Sequence, residues 1–203
     1  MSLLFAFLLG ASGWTLLEYV LHRFVFHGAS AQRLGAKEHR RHHAQVDYFA
    51  PWWQKALAAI AATVIVLPLA TVIAGLEYGA SFTLGFILMY LLYEILHRRA
   101  HTHAPSNGYG RWRRKNHFAH HFADPRLAQG VTTPLWDHVF GTRLSVERVR
   151  VPRRLAMPWL VGQNGEIHDA YSSDYELVGS RRWDERTRRK DTEAAMANER
   201  PEV

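Results

Sequence analysis

Three long apolar segments constrain the fold of this 203-residue chain more than any other feature. Residues 2–17 carry no charged side chain, residues 56–76 carry none over 21 positions, and residues 79–93 form a third uncharged run. A helix that crosses the hydrocarbon core of a bilayer needs about 20 apolar residues. The second segment meets this length outright, and the other two meet it if Glu18 and Glu94 are tolerated near their ends. We therefore predict three membrane-spanning helices.

Two alternatives to membrane spans are disfavoured by the sequence. A signal peptide would have a basic start and a small-residue cleavage site, whereas the first segment has no Lys or Arg before it and continues into His22 and Arg23. A soluble helical protein would have to bury residues 56–76 completely. The slightly negative mean hydropathy of −0.21 is an average over these segments and a charged second half.

The distribution of basic residues predicts the orientation in the membrane. The N-terminus and residues 75–80, a short link with two glycines that indicates an antiparallel helical hairpin, contain no Lys or Arg. The basic residues follow the first and third segments: Arg23, Arg33, Lys37, Arg40, Arg41, and then Arg98, Arg99, Arg111, Arg113, Arg114 and Lys115. Because basic loops remain in the cytoplasm, we expect an outside N-terminus and a cytoplasmic C-terminus.

Charge and cysteine content exclude several functions. The net charge of +7 could indicate nucleic-acid binding, but no nucleic-acid motif is present, so we assign the charge to membrane orientation and expect no nucleic-acid partner. The chain has no cysteine, which excludes disulfides, a thiolate nucleophile and cysteine-ligated metal sites.

Histidine is the residue type that carries the chemistry. The chain has 13 histidines. Ten of them form four clusters, two after the first segment and two after the third: His22 and His27; His39, His42 and His43; His97 and His101; His117, His120 and His121. All four clusters are therefore expected close to the bilayer on its cytoplasmic side. The other three, His103, His138 and His168, are not assigned as ligands.

The spacing within the clusters is helical in three cases. Residues three or four positions apart share a helix face, so the histidines of the last three clusters can each point in one direction. His22 and His27 are five positions apart, which places them about 140° apart on a regular helix. They converge only if the helix ends or distorts between them.

Ten imidazoles are too many for one ion and enough for two ions with five ligands each. We predict a dimetal site with these ligands: His22, His27, His39, His42, His43, His97, His101, His117, His120 and His121. Metal-bound imidazoles donate their second N–H to a carboxylate or carbonyl, and the candidate acids are Glu18, Glu94, Asp124 and Asp137. Interfacial snorkelling of the two glutamates and capping by the two aspartates are the alternatives.

The clusters resemble the histidine boxes of the fatty acid hydroxylase/sterol desaturase superfamily of membrane non-haem di-iron oxygenases. Residues 18–27, Tyr93-Glu-Ile-Leu-His97, and residues 117–125 with 130–142 look like fatty acid 2-hydroxylases. The resemblance covers about residues 14–143. The second cluster departs from the usual His-Gly-x-His-His form because Arg40 and Arg41 precede His42.

This resemblance implies an all-α integral membrane bundle of about three spans, with a cytoplasmic helical cap that carries the dimetal site. It implies a catalytic domain over residues 1–143. From their charge, residues 144–203 are expected to form a cytoplasmic extension that is in part disordered. The implied cofactors are two iron ions, for which zinc can substitute, with O2 as co-substrate. The substrate is a membrane lipid. Without a cytochrome b5-like domain, electrons are expected from a separate cytochrome b5-like or ferredoxin-like protein and its reductase.

Several alternatives stay open at this point. A carotenoid or sterol hydroxylase or desaturase of the same superfamily would use the same metal cage. Hydroxylation and desaturation differ in the placement of the substrate, which the sequence does not show. A membrane metal carrier is the alternative from another functional class, although its ligands would be expected inside the spans rather than after them.

Overall fold

The computed structural model describes residues 2–28 and 34–179, and helices dominate it. In chain order the elements are α1 (Leu3–Val20), a π-helical segment (Leu21–Phe26), α2 (Leu34–Ala44), α3 (Trp52–Ala74), α4 (Leu76–Thr102), α5 (Gly108–Phe122), α6 (Leu135–Val139), β1 (Val149–Pro152) and β2 (Tyr175–Val178). One-turn 3₁₀ helices lie at Arg153–Leu155 and Asp169–Tyr171. The predicted helical class is confirmed, with one small sheet added.

Three helices are long and apolar enough to cross a membrane: Leu3–Phe26, Trp52–Ala74 and Leu76–Thr102. They correspond to the three predicted segments. None of the residues of α3 is buried, and Val72 and Ile73 are 87% and 84% exposed. A 23-residue apolar helix with no buried residue matches a lipid environment, because its backbone polar groups are satisfied within the helix while its side chains face hydrocarbon.

The hairpin between α3 and α4 is tighter than the sequence suggests. Gly75 alone links the two helices and has φ +84°, a left-handed conformation that favours glycine. Residues 76–80, predicted as part of the turn, instead form the first turn of α4. The helices approach closely there, since a Cβ on Gly79 would lie 2.6 Å from the backbone nitrogen of Thr71.

Helix α4 is central and packs on both α1 and α3. Glycines bring α1 and α4 into backbone contact: a Cβ on Gly10 would lie 1.9 Å from the carbonyl oxygen of Phe82, and one on Gly85 would lie 2.0 Å from that of Phe7. Small residues allow such approach between membrane helices. One turn further along α1, the Trp14 side chain packs against the rings of Phe86 and Tyr90 on α4. The crossing therefore sets the position of the α1 end relative to the α4 end.

The part of the predicted C-terminal extension up to residue 179 is ordered and packs on α5. Strands β1 and β2 pair in parallel, with Val149 opposite Tyr175. Their inner side chains join Met157, Leu160 and α5 residue Phe118 in one hydrophobic core. Residues 149–178 therefore contribute a small folded core, which the charge pattern of the extension did not indicate. Its charged end, residues 181–203, lies outside the described residues.

Candidate metal centre

Five of the ten predicted histidines form a first group, here called group one. Their Nε2 atoms converge: His39 Nε2 lies 2.8 Å from His27, 3.0 Å from His43 and 3.1 Å from His22. The Nε2 atom of His120 lies 3.0 Å from that of His27. All five ligand atoms lie within 4.8 Å of one another, so they could hold one ion.

A π-helical segment brings His22 and His27 together. The chain continues α1 for one wider turn over Leu21–Phe26, and the His27 amide donates to the His22 carbonyl at 3.1 Å. A π-helix carries hydrogen bonds between residues five apart, so positions i and i+5 return to nearly the same face. The distortion that the five-residue spacing requires is therefore present.

The other five histidines form group two. His97 Nε2 lies 3.0 Å from that of His42, and His117 Nε2 lies 2.8 Å from that of His101 and 3.1 Å from that of His121. These five atoms also lie within 4.8 Å of one another. Among the described residues, no other set of three or more possible ligands converges in this way.

Helices α2 and α5 each serve both groups. On α2 the first and third histidines join group one and the second joins group two. On α5 the first and third join group two and the second joins group one. The contributions are His39, His43 and His120 to group one, and His42, His117 and His121 to group two. The three histidines of each triplet therefore lie on one face of their helix, as their spacing predicts, but they divide between two groups. The two groups adjoin where the rings of His43 and His121 stack at 4.0 Å.

The spacing of the Nε2 atoms fits metal coordination better than hydrogen bonding. Ligands at about 2.1 Å from an ion are about 3.0 Å apart at 90° and about 3.4 Å apart at the tetrahedral angle. The observed 2.8–3.1 Å matches the first case, which is that of a five- or six-coordinate ion. His39 Nε2 has three such neighbours but only one proton or one lone pair, so hydrogen bonding cannot account for all three contacts.

The second ring nitrogens support the same assignment. Three histidines direct Nδ1 at a backbone carbonyl: His22 at Gln129 (2.6 Å), His42 at Tyr48 (2.7 Å) and His120 at Leu127 (2.8 Å). A carbonyl only accepts, so each Nδ1 carries the proton. The Nε2 of each neutral ring is then a lone pair directed into its group, as a metal ligand requires.

Burial keeps these imidazoles neutral. It lowers the pKa of His42 to about 4, and burial, with smaller electrostatic effects of His22 and Arg40, lowers the pKa of His27 to about 3. Burial also holds the pKa well below its ordinary value for His39, His43, His117, His120 and His121. Neutral imidazole is the metal-binding form.

Two of the predicted acids lie close to group one without touching a histidine. Glu18 is buried and accepts hydrogen bonds from Val131 and Thr132, whereas the Nδ1 of His22 is directed at the Gln129 carbonyl. Asp137 is also buried and accepts the amide N–H of Gln129, the residue whose carbonyl receives His22.

The other two predicted acids do not bond to a histidine in the described part of the chain. Glu94 forms an ion pair with Lys55 of α3. Asp124 accepts three hydrogen bonds from Arg126 near the surface, and these hold its pKa below the ordinary value. Asp124 therefore stabilises a turn after α5, in agreement with the capping alternative.

The three unassigned histidines lie outside both groups. His103 ends α4 and contacts Thr102, His138 directs its Nδ1 at the Pro134 carbonyl on α6, and His168 lies at the start of the second 3₁₀ helix.

A cavity of about 220 Å³ leads to the histidines from between the three spans. Members of both groups, His39, His42 and His97, line it. Its walls are otherwise largely apolar and aromatic, with Glu18, Glu38 and Gln54 as further polar lining residues; the apolar and aromatic side chains are those of Trp14, Leu21, Phe26, Phe49, Ala58, Tyr90 and Tyr93. Lys55 and Glu94 place one ion pair in this wall, one helical turn from His97. The cavity can therefore place a molecule with one polar end beside the histidines.

Sequence reasoning missed the groups that orient the histidines. The carbonyls of Leu127, Gln129 and Tyr48 belong to the backbone, so no side-chain type marks them. Lys55 was also missed, although a single lysine at the start of an apolar span was a usable signal, because charges at membrane depth are costly and functional.

Known proteins are similar in sequence to the part of the chain that contains the two histidine groups. The sequence model of the fatty acid hydroxylase family matches residues 7–142. Fatty acid 2-hydroxylase from Rattus norvegicus is 31% identical over 153 residues, 70% of this chain and 40% of that protein. The enzyme of that name from Macaca fascicularis is 32% identical over 144 residues, 67% and 38% of the two chains.

A solved structure described as full-length scs7p, with only the hydroxylase domain visible, has a TM-score of 0.55 and 29% identity to this chain. The match covers 71% of this chain and 58% of that one. The chain thus spans about 40% of the length of the curated relatives it matches. The matched region contains all ten grouped histidines, and the chain belongs to the fatty acid hydroxylase family.

Proposed function

We propose that this protein is a membrane di-iron oxygenase that hydroxylates a fatty acyl chain with O2 and two external electrons. The observation that carries the proposal is the pair of five-histidine groups beside a largely apolar cavity that His39, His42 and His97 line. Five neutral imidazoles at near-90° spacing suit an ion with one coordination position left for a small ligand. The overall reaction converts R–H, O2, two electrons and two protons into R–OH and water.

Two iron ions, when bound, would supply the reductive activation of O2 that an unactivated C–H bond requires. Group one would hold one ion and group two the other, and zinc could occupy both groups without supporting the reaction. The remaining work belongs to the protein: it orients the imidazoles, excludes water and presents one carbon of the lipid.

The ion pair in the cavity wall supports hydroxylation beside the lipid's polar end. Glu94 lies one helical turn before His97 on α4 and pairs with Lys55 of α3, the single basic residue among the described non-histidine lining residues of a largely apolar wall. A carboxylate or amide oxygen of the substrate would bind Lys55, because an unpaired carbonyl in this cavity is costly. The carbon next to that carbonyl would then lie nearest the histidines, which agrees with relatives named fatty acid 2-hydroxylase.

Lipid mass spectrometry with and without expression tests this proposal. We expect an O2-dependent gain of one oxygen on an acyl chain, located by fragmentation at the second carbon. The variant Lys55→Met should lower the yield or spread the hydroxyl along the chain, and His42→Ala should abolish the product. Loss of two hydrogens, or oxidation of a carotenoid or sterol instead, would refute fatty acyl hydroxylation. Metal transport across vesicles without any lipid product would favour the carrier alternative.

We also propose that the metal centre faces the cytoplasm, where a soluble or membrane-bound donor protein and its reductase deliver the electrons. The basic residues after the first and third spans support this orientation. Because the chain has no cysteine, single cysteines report sidedness cleanly. An impermeant thiol reagent added outside intact cells should label Glu77→Cys in the hairpin and spare Lys37→Cys on α2. The opposite pattern would reverse the orientation.

A further inference from the structure

The loop between α5 and α6 has an unusual set of backbone hydrogen bonds. Four consecutive amides, those of residues 129–132, donate to only two carboxylates. Asp137 accepts from Gln129 at 2.8 Å and Gly130 at 2.9 Å, and Glu18 of α1 accepts from Val131 at 2.7 Å and Thr132 at 3.0 Å. Both carboxylates are almost fully buried. We call residues 127–132 with these two acids the carboxylate clamp.

The carbonyls of the same loop face group one. Leu127 accepts the Nδ1 proton of His120, and Gln129 accepts that of His22. In the part of the chain that the structure describes, no histidine of group two bonds to this loop, and the Nδ1 of His42 uses Tyr48 after α2 instead. The loop therefore acts on one group only.

The loop is held in a conformation that its sequence alone does not favour. Ala128 has φ +53°, which is uncommon for a residue with a Cβ, and its amide donates to the Thr142 carbonyl at 2.7 Å. A Cβ on Gly130 would lie 2.1 Å from the Thr133 carbonyl oxygen. Such positions persist where the surroundings over-determine them, often near functional sites.

A chain of donors points toward Asp137. Arg23 donates to the Tyr19 hydroxyl, and Thr142 donates to Asp137 at 2.7 Å. Since the Thr142 hydroxyl gives its proton to Asp137, the Tyr19 hydroxyl must donate to Thr142, at 2.8 Å. In this series of hydrogen bonds each group donates toward Asp137. An ionised carboxylate only accepts hydrogen bonds, so this is the arrangement that it requires.

We propose that Glu18 and Asp137 are positioning residues that act through this loop to fix His22 and His120, and so hold the ion of group one selectively. The inference rests on the proposed metal centre. The two buried carboxylates hold the four amides in place, and the amides hold the two carbonyls. The carbonyls fix the tautomer and the ring direction of two of the five ligands. Loss of such outer partners typically weakens metal binding by about 10- to 100-fold.

The test is the release of Fe²⁺ from the full chain, purified in detergent and loaded without oxygen, to an excess of chelator. We expect two release phases, which the reference variants His27→Ala and His121→Ala assign to group one and group two. Asp137→Asn and Glu18→Gln should accelerate the group-one phase about 10- to 100-fold. The group-two phase should stay within about twofold.

Milder variants keep the test decisive if an acid variant does not fold. Thr142→Val removes the hydroxyl that donates to Asp137, and Thr142→Ser retains it, so only the first should accelerate the group-one phase. Asp169→Asn, an exposed carboxylate in the C-terminal segment, is the control and should change neither phase.

If the acid variants accelerate both release phases equally, or accelerate neither phase, the selective role of the clamp is overturned while the metal centre remains in place. Failure of the parent protein to bind Fe²⁺ at all would instead overturn the proposed function, and this inference with it. The two failures are therefore distinguishable.

Discussion

The substitution Gly10→Ala is expected to separate α1 from α4. A Cβ at this position would lie 1.9 Å from the Phe82 carbonyl oxygen, whereas ordinary contact begins at about 3.4 Å. The helices must therefore move apart by about 1.5 Å at the crossing, because the obstructing atom belongs to the backbone and cannot rotate away. Gly85→Ala meets the Phe7 carbonyl oxygen at 2.0 Å and should have the same effect.

Overpacking of this kind typically costs about 1–3 kcal/mol, and each kcal/mol lowers Tm by roughly 2–4 °C for a chain of this size. A second effect follows at the metal centre, since α1 leads to His22 and α4 carries His97. A shift of the crossing changes their relative position, so we also expect weaker iron retention.

The assay is thermal unfolding of the purified protein in detergent, with bound iron measured on the same samples. Gly13→Ala is the matched control, because its Cβ would lie 3.5 Å from the end of the Phe82 ring, an ordinary contact. Equal Tm and iron content for Gly10→Ala and Gly13→Ala would refute the close backbone approach.

Three further predictions address the metal centre and the C-terminal core. His120→Ala and His117→Ala should each reduce bound iron from two ions to one per chain by elemental analysis, because they belong to different groups; retention of both ions would contradict the assignment. Leu160→Ala should cost about 2–5 kcal/mol of unfolding free energy, because this side chain is fully buried under α5, whereas Leu57→Ala on the lipid-facing surface of α3 should cost far less. Burial lowers the pKa of His42 from 6.5 to about 4, so between these pH values the unfolded chain binds a proton that the folded chain does not. The metal-free protein should therefore lose stability as the pH falls from about 6.5 to 4. A constant Tm over that range would contradict the neutral buried imidazole.

The spans and the ligand set follow from local sequence. An uncharged run of 21 residues is a property of the chain itself, and membrane insertion depends on such runs. The histidine clusters are equally local, because helical spacing places residues three and four apart on one face. Even the need for a distortion between His22 and His27 could be stated from their five-residue separation, and the π-helical segment supplies it.

The hydrogen-bond partners of the acids could not be inferred from local sequence. Glu18 and Asp137 were candidates for partners of the histidines, with capping as the alternative for Asp137, and both bond to the amides of one loop. A carboxylate near a histidine in sequence has many possible partners, and the chosen one depends on which backbone groups the tertiary structure leaves unpaired. The order within residues 149–178 was missed because its apolar residues are scattered among charges and gather only against α5.

The sequence by itself determined that this chain has three apolar helices long enough to span a membrane and a set of ten histidines that can hold two ions. Only the tertiary structure decided how these histidines divide, with α2 and α5 each serving both groups. It also decided which groups orient them. The physical reason is distance along the chain: His22 and its carbonyl partner at Gln129 are 107 residues apart, and Glu18 and Thr132 are 114 apart. Such contacts depend on how the helices cross, and no local pattern encodes that crossing.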